Sequence, residues 1–250
     1  MKRVLLKIAY DGTKYCGWQI QPNGLAVEEV INKTLSKLFN EDIVIIGASR
    51  TDSGVHAIGN VAVFDTNARM PADKVSYALN QRLPDTIVIQ DSFEVPGDFH
   101  PRYCRSNKTY QYNIRNSKFP LPTDRLYSHY IYYPLNIEAM QEAANYLIGE
   151  HDFKSFCSNG TRVVDTVRTI YDIKILKEND NISIVINGNG FLYNMVRIIV
   201  GTLIKVGLTI YPPNYMIEIL ERQDRDYAGP KAPANGLTLV KIDFPDLVVN

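Results

Sequence analysis

Apolar and polar positions change period several times along the chain. Val4-Leu5-Leu6-Lys7-Ile8-Ala9-Tyr10 is a mostly apolar first strand, and Asp11 to Gln19 follows as a glycine-punctuated loop. The single tryptophan, Trp18, lies in that loop and reads as a packing anchor, since large aromatics dominate burial. Pro22-Asn23-Gly24 marks a turn. Val27, Val30, Ile31, Leu35 and Leu38 then fall on one helical face, with Glu28 and Glu29 in the first turn, where the helix dipole favours acids. Asp42-Ile43-Val44-Ile45-Ile46 reads as a β-branched strand, and Asn60-Val61-Ala62-Val63-Phe64 alternates with Val61 and Val63 on one face. Pro71 opens a second helix with Val75, Leu79 and Leu83 inward, stopped before Pro84. Thr86 to Gln90 is a further strand. The order strand, helix, strand, strand, helix, strand predicts an α+β half with helices on one face of a mainly antiparallel sheet.

Phe99-His100-Pro101-Arg102-Tyr103-Cys104-Arg105 is the expected hinge to a second half. Tyr110, Tyr112 and Ile114 share one strand face. Asn136 can cap a helix carrying Ile137, Met140, Ala144, Leu147 and Ile148, ended by Gly149. His151 to Val164 reads as irregular. Val167, Thr169, Tyr171, Ile173 and Ile175 alternate in a strand, and Asn179-Asp180-Asn181 turns into Ile182 to Ile186. A helix from Phe191 to Val206 is apolar on most sides, which predicts deep burial, and Arg197 interrupts it. A short helix after Pro212-Pro213 and a last strand, Gly236 to Ile242, close the chain. No repeat is visible at the level of residue identity.

Composition narrows the class. With 250 residues, 45% hydrophobic and 22% charged, the chain has ample material for one large or two modest domains. Its 27 basic and 27 acidic residues cancel, which argues against coating nucleic acid by charge alone but leaves room for a local basic face. Cys16, Cys104 and Cys157 are far apart and odd in number, so neither a disulfide framework nor a zinc site is expected. His56, His100, His129 and His151 are scattered without zinc-like spacing. No dinucleotide fingerprint or phosphate loop is present. No run approaches the ~20 apolar residues that span a membrane. A cytoplasmic protein with reduced thiols is the expectation.

The chemistry concentrates in Gly47-Ala48-Ser49-Arg50-Thr51-Asp52-Ser53-Gly54-Val55-His56-Ala57, a polar loop between two strand-like runs. Asp-Ser-Gly alone is a common turn. Loops held by a rigid scaffold are also where reactive groups are placed. Arg197 needs an anion, because a charge in an apolar helix costs several kcal/mol unless paired. Tyr110 by itself is an ordinary strand aromatic. Arg50, Arg102, Arg105, Lys108 and Arg115, interleaved with Phe99, Tyr103 and Tyr110, look like a phosphate-tracking groove, whereas Lys118 reads as a solvated charge.

Arg50-Thr51-Asp52-Ser53-Gly54-Val55-His56-Ala57 closely resembles the signature of the TruA family of tRNA pseudouridine synthases. The similarity extends over nearly the whole chain: Tyr10-Asp11-Gly12 with Tyr15 to Gln19, Lys108 to Tyr112, Asn194-Met195-Val196-Arg197 with the residues after it, and Gly236 to Val240. Cys16 and Glu28 depart from the usual pattern, where a small unreactive residue and a glutamine are commoner.

This resemblance implies two RRM- or ferredoxin-like α/β halves, residues 1–103 and 104–250, with an active-site cleft between them. It implies isomerisation of uridines 38–40 in the tRNA anticodon stem-loop, with Asp52 as the essential carboxylate. Asp52 would act as nucleophile on sugar or base, or as the base taking a ribose proton. Arg197 would pair with Asp52 and keep it ionised. Tyr110 would hold the target base. Arg50, Phe99, His100, Pro101, Arg102 and Tyr103, and Arg162 in the segment Gly160 to Val164, would contact tRNA, while His56 would orient the loop. The implied enzyme is a homodimer, binds no membrane, and uses no metal, redox cofactor or nucleotide. Two alternatives stay open from sequence: the same fold acting at other RNA positions, and an RNA-binding or folding protein without catalysis.

Overall fold

The computed structural model describes residues 1–158 and 164–247. They form two compact units, Met1–Ser106 with Thr238–Asn250, and Asn107–Leu237. The expected halves, 1–103 and 104–250, differ from these chiefly in the last strand, which pairs with a strand of the first unit.

The first unit contains β1 (Lys2–Tyr10), α1 (Val27–Phe39), β2 (Ile46–Gly47), β3 (His56–Thr66), α2 (Ala72–Asn80) and β4 (Ile87–Val95), and takes β10 (Leu237–Asp243) from the end of the chain. Its strands run β4-β1-β3-β10. β1 is antiparallel to both β3 and β4, whereas β10 lies parallel to β3, with Thr238 opposite His56. Val27, Ile31 and Leu35 of α1, and Val75 and Leu79 of α2, are fully buried, as their helical spacing predicts. Trp18 is also fully buried.

The run from Asp42 to Ile46 is not the strand its alternation suggests. Ile43 and Ile45 are buried and Val44 is 68% exposed, so the period of two is real. The backbone, however, bonds to helix side chains: Ile43 N donates to Ser36 Oγ and Ile45 N to Asn32 Oδ1, both at 3.0 Å. Polar groups of α1 replace a strand partner, and pairing with β3 begins only at Ile46 and Gly47 and continues with Ala48 N donating to Val61 O at 2.7 Å. Leu83 lies beyond the end of α2, whose last residue, Asn80, bonds through its amide to both backbone groups of Ile89 in β4.

The second unit contains β5 (Asn107–Asn116), β6 (His129–Ile131), α3 (Ile137–Asn145), β7 (Gly149–Asp152), β8 (Val167–Glu178), β9 (Asn181–Gly188), α4 (Met195–Gly207) and α5 (Tyr215–Arg222). Its antiparallel strands run β5-β9-β8-β7, and β6 adds in parallel to β5. Asn136 caps α3 by accepting from Ala139 N at 3.0 Å. β7 occupies part of the segment read as irregular. In β8 the register shifts between Ile170 and Asp172. The extra residue changes the phase of the alternation, so Ile170, Ile173 and Ile175 are buried while Val167 and Tyr171 are exposed. α4 is buried on nearly every side, Arg197 and Thr202 included.

Candidate active site

The motif loop follows β2 and runs into β3. Ser49 and Thr51 are buried, Arg50 is exposed and Asp52 is half-buried. Thr51 anchors the loop inward between Arg50 and Asp52. The anchor is a buried polar network: Tyr10 Oη lies 2.8 Å from Thr51 Oγ1, and Asn60 Nδ2 donates to Tyr10 Oη at 3.3 Å and to Ser49 O at 3.2 Å. Asp52 O accepts from Val55 N at 3.1 Å, which closes a turn with Gly54 at φ +77°.

The opening glycine loop clasps this turn. Trp18 N donates to Thr51 O at 3.1 Å, and Ser53 Oγ donates to Tyr15 O at 3.2 Å. Gly17 has φ +105°, and a Cβ on it would stand 2.6 Å from Thr51 O, so no side chain fits there. His56 is buried at the start of β3 and its Nδ1 accepts from Gly12 N at 3.1 Å. In the neutral ring this leaves the proton on Nε2. Asp11 Oδ1, 3.2 Å from the same Nδ1, forms an ion pair with it only when the ring is protonated. His56 therefore fastens Gly12 to the motif through Nδ1.

The segment Phe99 to Tyr103 divides by exposure. Phe99 and Pro101 are buried, and the Phe99 ring meets the edge of Phe244 at 5.1 Å. Arg3 Nη1 holds Phe99 O at 2.9 Å. Tyr103 is 85% exposed and stacks on His100 with ring centroids 4.2 Å apart. Arg102 is exposed, yet its Nε donates to Gly47 O at 2.9 Å, at the entrance of the motif loop.

In the second unit, Tyr110 on β5 is 7% exposed and meets Phe191 edge-on at 5.2 Å. Arg197 on α4 is 8% exposed. Its Nε donates to Ala232 O at 2.8 Å and its Nη1 to Asn194 Oδ1 at 3.1 Å. The Arg197 carbonyl in turn accepts from Ala232 N at 3.0 Å. Burial pushes the Tyr112 phenol well above its ordinary value, and the positive charge of Arg197 offsets part of that rise. Tyr112 Oη donates to Pro233 O at 2.9 Å, which ties β5 to the same 230–233 segment that holds Arg197.

The first unit thus gathers Arg50, Asp52, Phe99, His100, Pro101, Arg102 and Tyr103, and the second carries Tyr110 and Arg197. Arg162 lies outside the described residues. Sequence reasoning missed the supports: Tyr10 and Asn60 beneath the loop, and Asn194 and Ala232 around the guanidinium. Asn60 and Asn194 were signalled only by polarity beside apolar runs, and Tyr10 and the Ala232 carbonyl by nothing local. Among the described residues, no group of three or more His, Cys, Asp and Glu is placed to hold a metal ion, and no helix is long and apolar enough to cross a membrane.

A family model described as tRNA pseudouridine synthase matches residues 7–104 and 143–245. A tRNA pseudouridine synthase A of Thermoanaerobacter sp. (strain X514) is 51% identical over 244 residues, 98% of this chain and all of that protein. The proteins of the same name from Ruminiclostridium cellulolyticum and Brevibacillus brevis are 51% and 46% identical, again over 98% of this chain and their full length.

Proposed function

The chain belongs to the tRNA pseudouridine synthase family, and from that premise we propose that it isomerises uridines 38–40 of the tRNA anticodon stem-loop, with Asp52 as the essential carboxylate. The observation that carries this is the inward anchoring of Thr51, which holds the one carboxylate of the motif loop on a rigid support. In the reaction the N1–C1′ bond breaks, the uracil turns, and a C5–C1′ bond forms. C5 loses its proton to solvent and N1 gains one, so no electrons are exchanged. Asp52 acts either as nucleophile, on C1′ or on the base, or as the base that removes a ribose proton, and each role requires the ionised form.

Arg197 supplies the positive charge that favours an ionised carboxylate. Its buried guanidinium, fixed by two bonds, supports this reading. Tyr110 is the platform for the base, where aromatic stacking contributes about 1–3 kcal/mol. The target nucleotide leaves its stack to react. Arg50, His100, Arg102 and Tyr103 meet the RNA directly, while Phe99 and Pro101 shape the segment that presents them; Arg162 completes the set. The working enzyme is a homodimer of the cytoplasm, and light scattering of the purified chain reads its state directly.

The test is tritium release from tRNA carrying [5-³H]uridine in the anticodon stem-loop. Wild type releases tritium. Asp52→Asn releases none and still binds tRNA. Normal turnover by that variant sinks the assignment of Asp52.

A further inference from the structure

Asn194 occupies the position that would ordinarily cap α4, yet its side chain does not bond the first-turn amides. Its backbone is left-handed, φ 61° and ψ 8°, a conformation disfavoured for most non-glycine residues. It is 6% exposed. Both ends of its amide are engaged elsewhere. Oδ1 accepts from Arg197 Nη1 at 3.1 Å, and Nδ2 donates to Ser158 Oγ at 2.9 Å. Ser158 is itself fixed by its N–H to Tyr193 O at 3.1 Å. A residue that gives up its cap, sits in a disfavoured backbone region and spends both polar ends on one arginine and its neighbour is arranged for that arginine.

We propose that Asn194 is a positioning residue for Arg197, which sets the guanidinium plane at the angle the reaction uses; this rests on the role given to Arg197 above. Ala232 O fixes Nε and Asn194 Oδ1 fixes Nη1, so two points define the plane of a rigid fork. The guanidinium, which can only donate, determines which way the amide faces. With Oδ1 committed to Nη1, Nδ2 donates to the serine hydroxyl, which accepts it. A neutral acceptor is essential to the design. It orients the guanidinium without adding a negative charge beside it.

Three variants test this: Asn194→Gly, Asn194→Asp and Arg197→Lys. Single-turnover tritium release, tRNA binding and thermal unfolding are measured on each. Glycine accepts the left-handed backbone freely, so Asn194→Gly removes only the amide. It is expected to keep its tRNA affinity, to melt below wild type because two buried hydrogen bonds are lost, and to lose about 10- to 100-fold in the chemical step. Asn194→Asp keeps an acceptor but adds a charge that pairs with the guanidinium. It is expected to melt at or above the wild-type temperature and to be slower still than the glycine variant. Activity and stability thus change in opposite orders, which a capping or backbone role would not produce. If Asn194→Asp is as active as wild type, or if Asn194→Gly keeps its chemical rate, Asn194 does not position Arg197. Arg197→Lys separates the two readings. If it retains wild-type rate, the role of Arg197 itself fails; if it is slow while Asn194→Gly is not, only the positioning proposal fails.

Discussion

Thr51 and Asp52 are neighbours with opposite surroundings, and the difference originates 41 residues earlier, at the hydroxyl of Tyr10. Tyr10 reads from sequence as the end of an apolar strand. Nothing local says that its hydroxyl reaches Thr51 or that Asn60, fully buried, donates to it. The motif was legible because its residues are close in sequence, whereas its support is assembled by the pairing of β1 with β3. Buried polar groups cost most when one partner is removed, about 1–3 kcal/mol for each group left short. Tyr10→Phe takes one partner from Thr51 and one from Asn60 while preserving the ring. It is expected to lower stability by about 1–2 kcal/mol in urea unfolding and to slow tritium release, because Asp52 is aimed through Thr51. Wild-type unfolding and wild-type release together would show that the loop holds its shape without the hydroxyl.

Among the elements, α4 begins at Met195, four residues later than its apolar run suggests, because Asn194 before it is left-handed, and it hides a close backbone contact. Its apolar periphery announces burial, and burial is observed. The closeness of the segment after Ala228 could not be read, because a glycine inside a helix signals only weakness. Gly201 faces the Pro230 carbonyl so closely that a Cβ would collide with that oxygen, and Gly229 N donates to Thr202 Oγ1 at 2.9 Å. Two effects compete in Gly201→Ala. Helix propensity favours alanine by about 1 kcal/mol, while overpacking against backbone costs about 1–3 kcal/mol. The collision is with a carbonyl, not with a flexible side-chain end, so the unfavourable effect wins. Gly201→Ala is expected to lower the melting temperature. It also displaces the stretch of backbone that carries Ala232 O, an acceptor on Arg197, and so is expected to slow the chemical step. A variant that melts higher than wild type would mean that the 228–232 segment moves aside at no cost. The β8 register shift has the same lesson at smaller scale: the alternation was visible, but the extra residue that changes its phase was not.

For the whole molecule, the main helices and long strands of each unit were legible from hydrophobic period, but the short strands β6 and β7 and the membership of the last strand were not. Gly236 to Ile242 announces a strand, and only long-range pairing assigns it to β3 and the first unit. Charge behaves similarly. The sum over the chain is zero, so tRNA affinity cannot come from the mean field and must come from where individual cations stand. Arg105 and Lys118 make the comparison. Both are exposed, and each contributes one positive charge. Arg105 follows the His100–Tyr103 stack, whereas Lys118 sits over the ring of Phe119 at 5.4 Å, beyond the end of β5. If binding followed net charge, Arg105→Ala and Lys118→Ala would weaken it equally. If it follows phosphate contacts, the slope of log affinity against log salt falls by about 0.7–0.9 for the arginine and not at all for the lysine. The second outcome is expected from titrations of tRNA binding between low and physiological salt, with both variants melting as wild type does. Equal slopes for the two would remove Arg105 from the RNA-facing set, and would leave Arg50 and Arg102, beside the motif loop, as the cations that hold the phosphate backbone.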